Sequence, residues 1–155
     1  MKTLIVYYSR TGVTKKVSET LKQKLNCDIE EIVDTKDRQG PIGYMLGGRD
    51  ALKEILTEIK PTEKNPDDYE LVIIGTPVWA SNMAPAVRTY IAAQKAKLKK
   101  VAFLVTYGGS GFEKTLKRLG DLAGVQPIAT LGFKTAEVVK NQTEEKINQF
   151  IASLK

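Results

Sequence analysis

Apolar residues along this chain fall into short unbroken runs that alternate with longer stretches of helical spacing. Leu4 to Tyr8, Leu71 to Gly75 and Val101 to Thr106 are near-continuous apolar runs, and Ile128 to Phe133 is a weaker one. Asp28 to Val33 alternates apolar with polar, as an edge strand does. Between these runs, Val17, Leu21 and Leu25 recur at i, i+4, i+8 within Val13 to Leu25. Leu52, Ile55, Leu56 and Ile59 share one face of a helix expected over Asp50 to Ile59, and Pro85 to Ala96, Gly111 to Ala123 and Thr143 to Leu154 read as three more helices.

Five apolar strands alternating with five helices predict an α/β fold, a doubly wound parallel sheet with helices on both faces and right-handed crossovers. No repeat or linker divides the chain, so residues 1–155 are expected to form one domain. Ligands of such sheets bind outside the carboxyl ends of the strands, near a topological switch point. The loops after the first, third and fourth strands therefore matter most.

The first of these is Ser9-Arg10-Thr11-Gly12-Val13-Thr14. It leads into a helix N-terminus, where unpaired N–H groups and the positive end of the dipole attract anions. One hydroxyl suffices for an N-cap; three around a glycine are more than a cap requires. The loop lacks both the P-loop pattern and the G-x-G-x-x-G of dinucleotide folds. The third strand is followed by Thr76-Pro77-Val78-Trp79-Ala80-Ser81-Asn82, which puts the only tryptophan on an expected loop, as a core plug or as a stacking platform for a planar ligand. After the fourth strand comes Tyr107-Gly108-Gly109-Ser110-Gly111, whose glycines let backbone approach a ligand closely.

Composition narrows the chemistry. The chain has no histidine and one cysteine, Cys27, read as a small buried residue. Ser-His and Cys-His catalysis are thereby removed, along with most transition-metal sites, so no catalytic or metal-binding residue is assigned and the hard chemistry falls to a cofactor. The net charge of +6 prompts the question of nucleic acid, but the lysines are spread over helix surfaces without interleaved aromatics, which argues against it. An acidic protein partner suits the charge better. No apolar run nears the roughly 18 residues of a membrane span and the N-terminus shows no signal pattern, so cytoplasmic residence without membrane attachment is the expectation.

A phosphate-binding loop facing a loop with a lone tryptophan and a glycine-rich loop describes a site for flavin mononucleotide (FMN), and the constellation resembles the flavodoxin family. Ser9-Arg10-Thr11-Gly12-Val13-Thr14 is similar to its phosphate loop, Thr76-Pro77-Val78-Trp79 to its flavin-stacking loop and Tyr107-Gly108-Gly109-Ser110-Gly111 to its third loop. The resemblance implies strand order 2-1-3-4-5, FMN as cofactor and a role as a nucleotide-binding electron-transport flavoprotein between redox partner proteins. It further implies that Ser9, Thr11, Gly12 and Thr14 hold the phosphate. Trp79 would stack on the ring, and backbone from Ala80 to Asn82 and from Tyr107 to Gly109 would meet its polar edge. Three departures stand out: Val13 replaces a common asparagine, Arg10 adds a charge expected to reach solvent or the phosphate, and the chain is basic where many flavodoxins are acidic.

Two rival readings follow. An FMN-dependent NAD(P)H or quinone oxidoreductase would share the site, and a cofactor-free binding module would work through the basic surface. The stretch Asp37 to Asp50, rich in glycine and carrying Tyr44, Met45 and Leu46, reads as a long connection or as a flap over the site.

Overall fold

Every residue of the first strand, β1 (Thr3–Tyr7), is buried, and its apolar side chains divide between two cores. Leu4 and Val6 face one core, and Ile5 and Tyr7 face the other. That division explains the unbroken apolar runs, because a strand covered on both faces has no polar side to show. The computed structural model describes all 155 residues. After β1 come α1 (Val13–Leu25), β2 (Asp28–Glu31), α2 (Gly40–Leu52), β3 (Leu71–Trp79), β4 (Asn82–Met83) and α3 (Pro85–Gln94). Then follow β5 (Lys100–Tyr107), α4 (Phe112–Ala123), β6 (Thr130–Lys134), α5 (Thr135–Val139) and α6 (Glu144–Ser153).

Five strands are parallel in the order β2-β1-β3-β5-β6, and β4 pairs antiparallel with the end of β3. Apart from the β4 hairpin, this is the expected 2-1-3-4-5 sheet, with β2 at the edge. Ala51 of α2, Val87, Tyr90 and Ile91 of α3, and Leu119 and Ala123 of α4 close one face. Val17 and Leu21 of α1, Val138 of α5, and Ile147 and Phe150 of α6 close the other. Fully burying each such aliphatic or aromatic side chain contributes about 1.5–3 kcal/mol. Cys27 is only half-buried against the second core, and burial, helped by Asp28, pushes its thiol up to about 11.

Four elements differ from the sequence reading, one of them the short α5, where no helix was expected. The helix expected over Asp50 to Ile59 is absent beyond Leu52, and a helix stands instead over Gly40–Leu52, the stretch read as a connection or flap. Leu52, Ile55 and Leu56 are exposed, while Ile59 forms a bridge to Asp34. The third strand does not stop at Gly75 but runs to Trp79. Its neighbour β1 has ended by then, with Tyr7 beside Gly75, so the missing N–H of Pro77 leaves no gap in that ladder. The chain then reverses through Ala80 and Ser81, both at positive φ (51° and 59°), and pairs as β4. Positive φ at both central residues is the pattern of a type I′ hairpin turn. No helix is long and apolar enough to cross a membrane, and no group of three or more metal-ligating side chains is placed to hold an ion.

Candidate functional site

Between β1 and α1 the chain turns through Ser9 to Gly12. Gly12 sits at φ +94°, a left-handed conformation that other residues adopt only with strain, and it caps α1. The Ser9 hydroxyl accepts the Gly12 N–H at 3.0 Å and closes the turn. No acidic residue occupies the first turn of α1, so its unpaired N–H groups face outward with no carboxylate opposing an anion. Thr11 is exposed, whereas Thr14 is buried with its hydroxyl 2.8 Å from that of Thr106 on β5. Thr14 therefore also ties α1 to the sheet.

Arg10 departs from the solvent-facing expectation. Its Nε donates to the Arg38 carbonyl at 2.7 Å, a terminal nitrogen donates to the Gly40 carbonyl at 3.3 Å, and the guanidinium lies 5.2 Å from the centre of the Tyr44 ring. It staples the phosphate-loop candidate to the start of α2.

At the carboxyl edge of the sheet a cavity of about 200 Å³ brings together Arg10, Thr11, Val13 and Thr14 with Pro77, Val78 and Trp79 and with Tyr107 and Gly108. All three loops singled out in the sequence thus open on one space. Two further walls, Thr106 and Thr135, were not foreseen, and a third, Tyr44, comes from the stretch read as a connection or a flap over the site. The signal for the two threonines was present, since each is a hydroxyl residue at the carboxyl end of a strand. Two larger spaces adjoin the first. One of about 380 Å³ shares Tyr44, Val78 and Trp79 and adds Met45, Leu52 and Ala80. The other, about 510 Å³, shares Tyr107 and includes Ser81, Gly109 and Ser110. Tyr44, 64 % exposed, borders both the first space and the second.

Five expected site residues lie elsewhere or are otherwise engaged. Thr76 is fully buried, its hydroxyl donating to the Pro77 carbonyl and accepting the Ala84 N–H. Asn82 is buried between α2 and α3, donating to the Ala51 carbonyl and accepting from Arg88. Trp79 ends a strand rather than riding a loop, and it is only 9 % exposed. Tyr8 meets it edge-on, with ring centres 5.5 Å apart at 89°, and Gly47 of α2 lies so close that a Cβ there would stand 2.8 Å from the indole. Only a margin of the indole reaches the cavities. Ser9 and Gly12, fourth and fifth, shape the turn and line none of the three spaces.

The α2 wall is fixed from beneath by buried charge. Arg38, 3 % exposed, donates from Nε to Asp34 at 3.0 Å and from Nη1 to Asp50 at 2.8 Å. Burial pushes the Asp50 carboxyl up, but hydrogen bonds from Arg38 and Arg49 outweigh it and hold the group below the ordinary carboxylate value. Burial, together with the nearby Asp34 charge, pushes the Tyr8 hydroxyl up to about 12.

A family model described as flavodoxin matches residues 49–153. No curated protein matches the sequence. Among solved structures, a flavoprotein from Lactobacillus acidophilus in complex with FMN is similar over 90 % of this chain and 97 % of its own, with 24 % identity and a TM-score of 0.75. The apo-form of the flavoprotein from that organism aligns with a TM-score of 0.64 at 24 % identity, over 90 % of this chain and 95 % of its own. Two-electron reduced flavodoxin from Megasphaera elsdenii aligns over 99 % of both chains with 20 % identity and a TM-score of 0.59.

Proposed function

The chain belongs to the flavodoxin family, and from that premise we propose that it binds FMN at the carboxyl edge of the sheet and carries electrons between redox proteins. One observation carries the reading: a carboxylate-free helix N-terminus, through Thr11, Val13 and Thr14, opens into the same cavity as Trp79 and Tyr107. The residues fit the group at both ends. For the phosphate, the first-turn N–H groups of α1 and the Thr11 hydroxyl supply donors. For the ring, Trp79, Tyr44, Val78 and Tyr107 supply apolar walls, and an added Cβ at Gly108 or Gly109 would meet open space. Alone, 200 Å³ falls below the roughly 300–1,000 Å³ of small-molecule pockets, so the ring also needs the adjoining space that Tyr44 also borders.

When bound, FMN supplies reversible one- and two-electron transfer. The chain's own part is to bind the phosphate, exclude water from one side of the ring with Trp79 and Tyr107, and offer backbone groups of Ala80, Ser81 and Tyr107 to Gly109 to its polar edge. No side-chain acid or base is required. The +6 net charge favours partner proteins with acidic docking surfaces. Titration of the purified protein with FMN should quench Trp79, the only tryptophan, in a saturable one-to-one manner. No saturable change up to about 100 μM FMN, an affinity weaker than about −5.5 kcal/mol, overturns the proposal.

The apolar space beside Trp79, walled by Tyr44, Met45 and Leu52, favours a second reading. A flat apolar substrate could lie there against the ring, as an FMN-dependent NAD(P)H or quinone oxidoreductase requires. Rapid anaerobic mixing of the FMN-loaded protein with NADPH separates the two. Direct bleaching of the flavin absorbance supports the enzyme, and no bleaching within minutes supports the carrier.

A further inference from the structure

α3, α4 and Glu54, just past the end of α2, line an open cavity of about 600 Å³. Four cations line it, Arg88, Lys114, Lys117 and Arg118, against two carboxylates, Glu54 and Asp121. Asp121 is paired with Lys117 one turn away, at 2.8 Å. Lys114, Lys117 and Arg118 recur at i, i+3 and i+4, which places all three on one face of α4.

Arg88 is the unusual member. It is 7 % exposed and carries its charge into the interior, where Asn82 accepts from Nη2 at 2.9 Å and Glu54 pairs with Nη1 at 3.0 Å. Its Nε is buried with no hydrogen-bond partner. A buried guanidinium short of acceptors favours a further acceptor close to it.

Glu54 fills part of that need at a cost to the backbone. It follows the end of α2 at φ +57°, and the Ile55 N–H reaches back to the Asp50 carbonyl, so Glu54 stands where a helix-terminating glycine is the usual occupant. A residue held in a strained conformation points to what its side chain does. Here the side chain delivers a carboxylate, 57 % exposed, to Arg88.

We propose that this cavity is an anion site for a phosphorylated small molecule, with Arg88 at its floor, Lys114, Lys117 and Arg118 on its wall, and the Glu54 carboxylate as a built-in occupant that the phosphate displaces. The site is separate from the proposed flavin site and stands whether or not FMN binds. Arg118 also donates to the Ser81 carbonyl at 2.5 Å, so the cavity and the strained turn beside the flavin site share a residue.

The test is calorimetric titration of the full-length protein at low salt with sodium pyrophosphate, ADP and adenosine as separate probes. Pyrophosphate should bind saturably and adenosine should not. Equal affinity for pyrophosphate and ADP identifies the phosphates alone as the ligand; ADP binding at least about tenfold tighter identifies a nucleotide. Lys114→Gln/Lys117→Gln should weaken pyrophosphate about tenfold or more, losing two contacts. Glu54→Gln should tighten it about threefold or more, because the competing carboxylate is gone. Tightening is the expected outcome, because the variant removes both the carboxylate that competes for Arg88 and its repulsion of the anion. Should Glu54→Gln prove unstable, its thermal midpoint must rise more steeply with pyrophosphate than wild type does. No saturable binding up to about 10 mM pyrophosphate, or a Glu54→Gln variant that binds no better than wild type, overturns the proposal.

Discussion

Asp50 decides how firmly α2 is seated. It is 1 % exposed and accepts from Arg38, which is itself buried and also holds Asp34. Removing one partner of a buried pair leaves an uncompensated charge, so Asp50→Asn should destabilise the protein by about 3–5 kcal/mol at neutral pH. The pH dependence has a defined sign. The Asp50 carboxyl is held below its ordinary value in the folded state, so its contribution is fully present above the unfolded carboxylate range, near pH 4. It is lost as pH falls through the lowered folded value. Urea unfolding of wild type and Asp50→Asn should therefore differ most above about pH 5 and converge in acid. A gap independent of pH would show that the carboxylate charge is not what holds α2.

At the scale of elements, the strands were legible in the sequence and α2 was not, for opposite physical reasons. A strand covered on both faces writes an unbroken apolar run, so β1, β3 and β5 were evident. α2 makes its closest contacts through glycines. A Cβ at Gly43 would stand 2.5 Å from the Arg38 backbone, and one at Gly47 would stand 2.8 Å from Trp79. Glycine contributes nothing to apolar periodicity, whereas Leu52, Ile55 and Leu56 beyond it carry helical spacing and lie exposed. The first and third site loops were legible because hydroxyl and glycine clusters follow β1 and β5; the second was legible through its lone tryptophan, although Thr76 to Trp79 belong to β3. The burial of Trp79 was one of the two readings the sequence offered, but what buries it was not legible, because the close contact is with Gly47, thirty-two positions away in the chain. Two neighbouring substitutions test this. Gly47→Ala should destabilise by about 1–3 kcal/mol through overpacking and shift Trp79 fluorescence. Gly48→Ala, with nothing within 4 Å of the new methyl, should stabilise by about 0.5–1 kcal/mol through helix propensity. If both variants stabilise, α2 does not seat on the tryptophan.

For the whole molecule, the decisive property is the sign of its field. The chain carries 24 basic and 18 acidic residues, a net +6, and the cation-lined cavity between α3 and α4 lies on the same side as the Ala80-Ser81 turn. A field of that sign raises the local concentration of anions and lowers that of cations, and added salt removes the bias once the Debye length shrinks to a few ångströms. If the flavin sits at the carboxyl edge of the sheet, electron exchange with small charged reagents reads this field without any knowledge of the natural partner. The FMN-loaded protein, reduced anaerobically, should be oxidised faster by ferricyanide at about 10 mM salt than at about 0.5 M. A cationic oxidant such as hexaammineruthenium should show the reverse trend. Stopped-flow absorbance in the flavin band follows both reactions. Matching salt dependences for the two reagents would mean that the net charge does not act at the site. An acidic partner surface would then lose its physical basis, while the FMN assignment, which rests on binding alone, would stand.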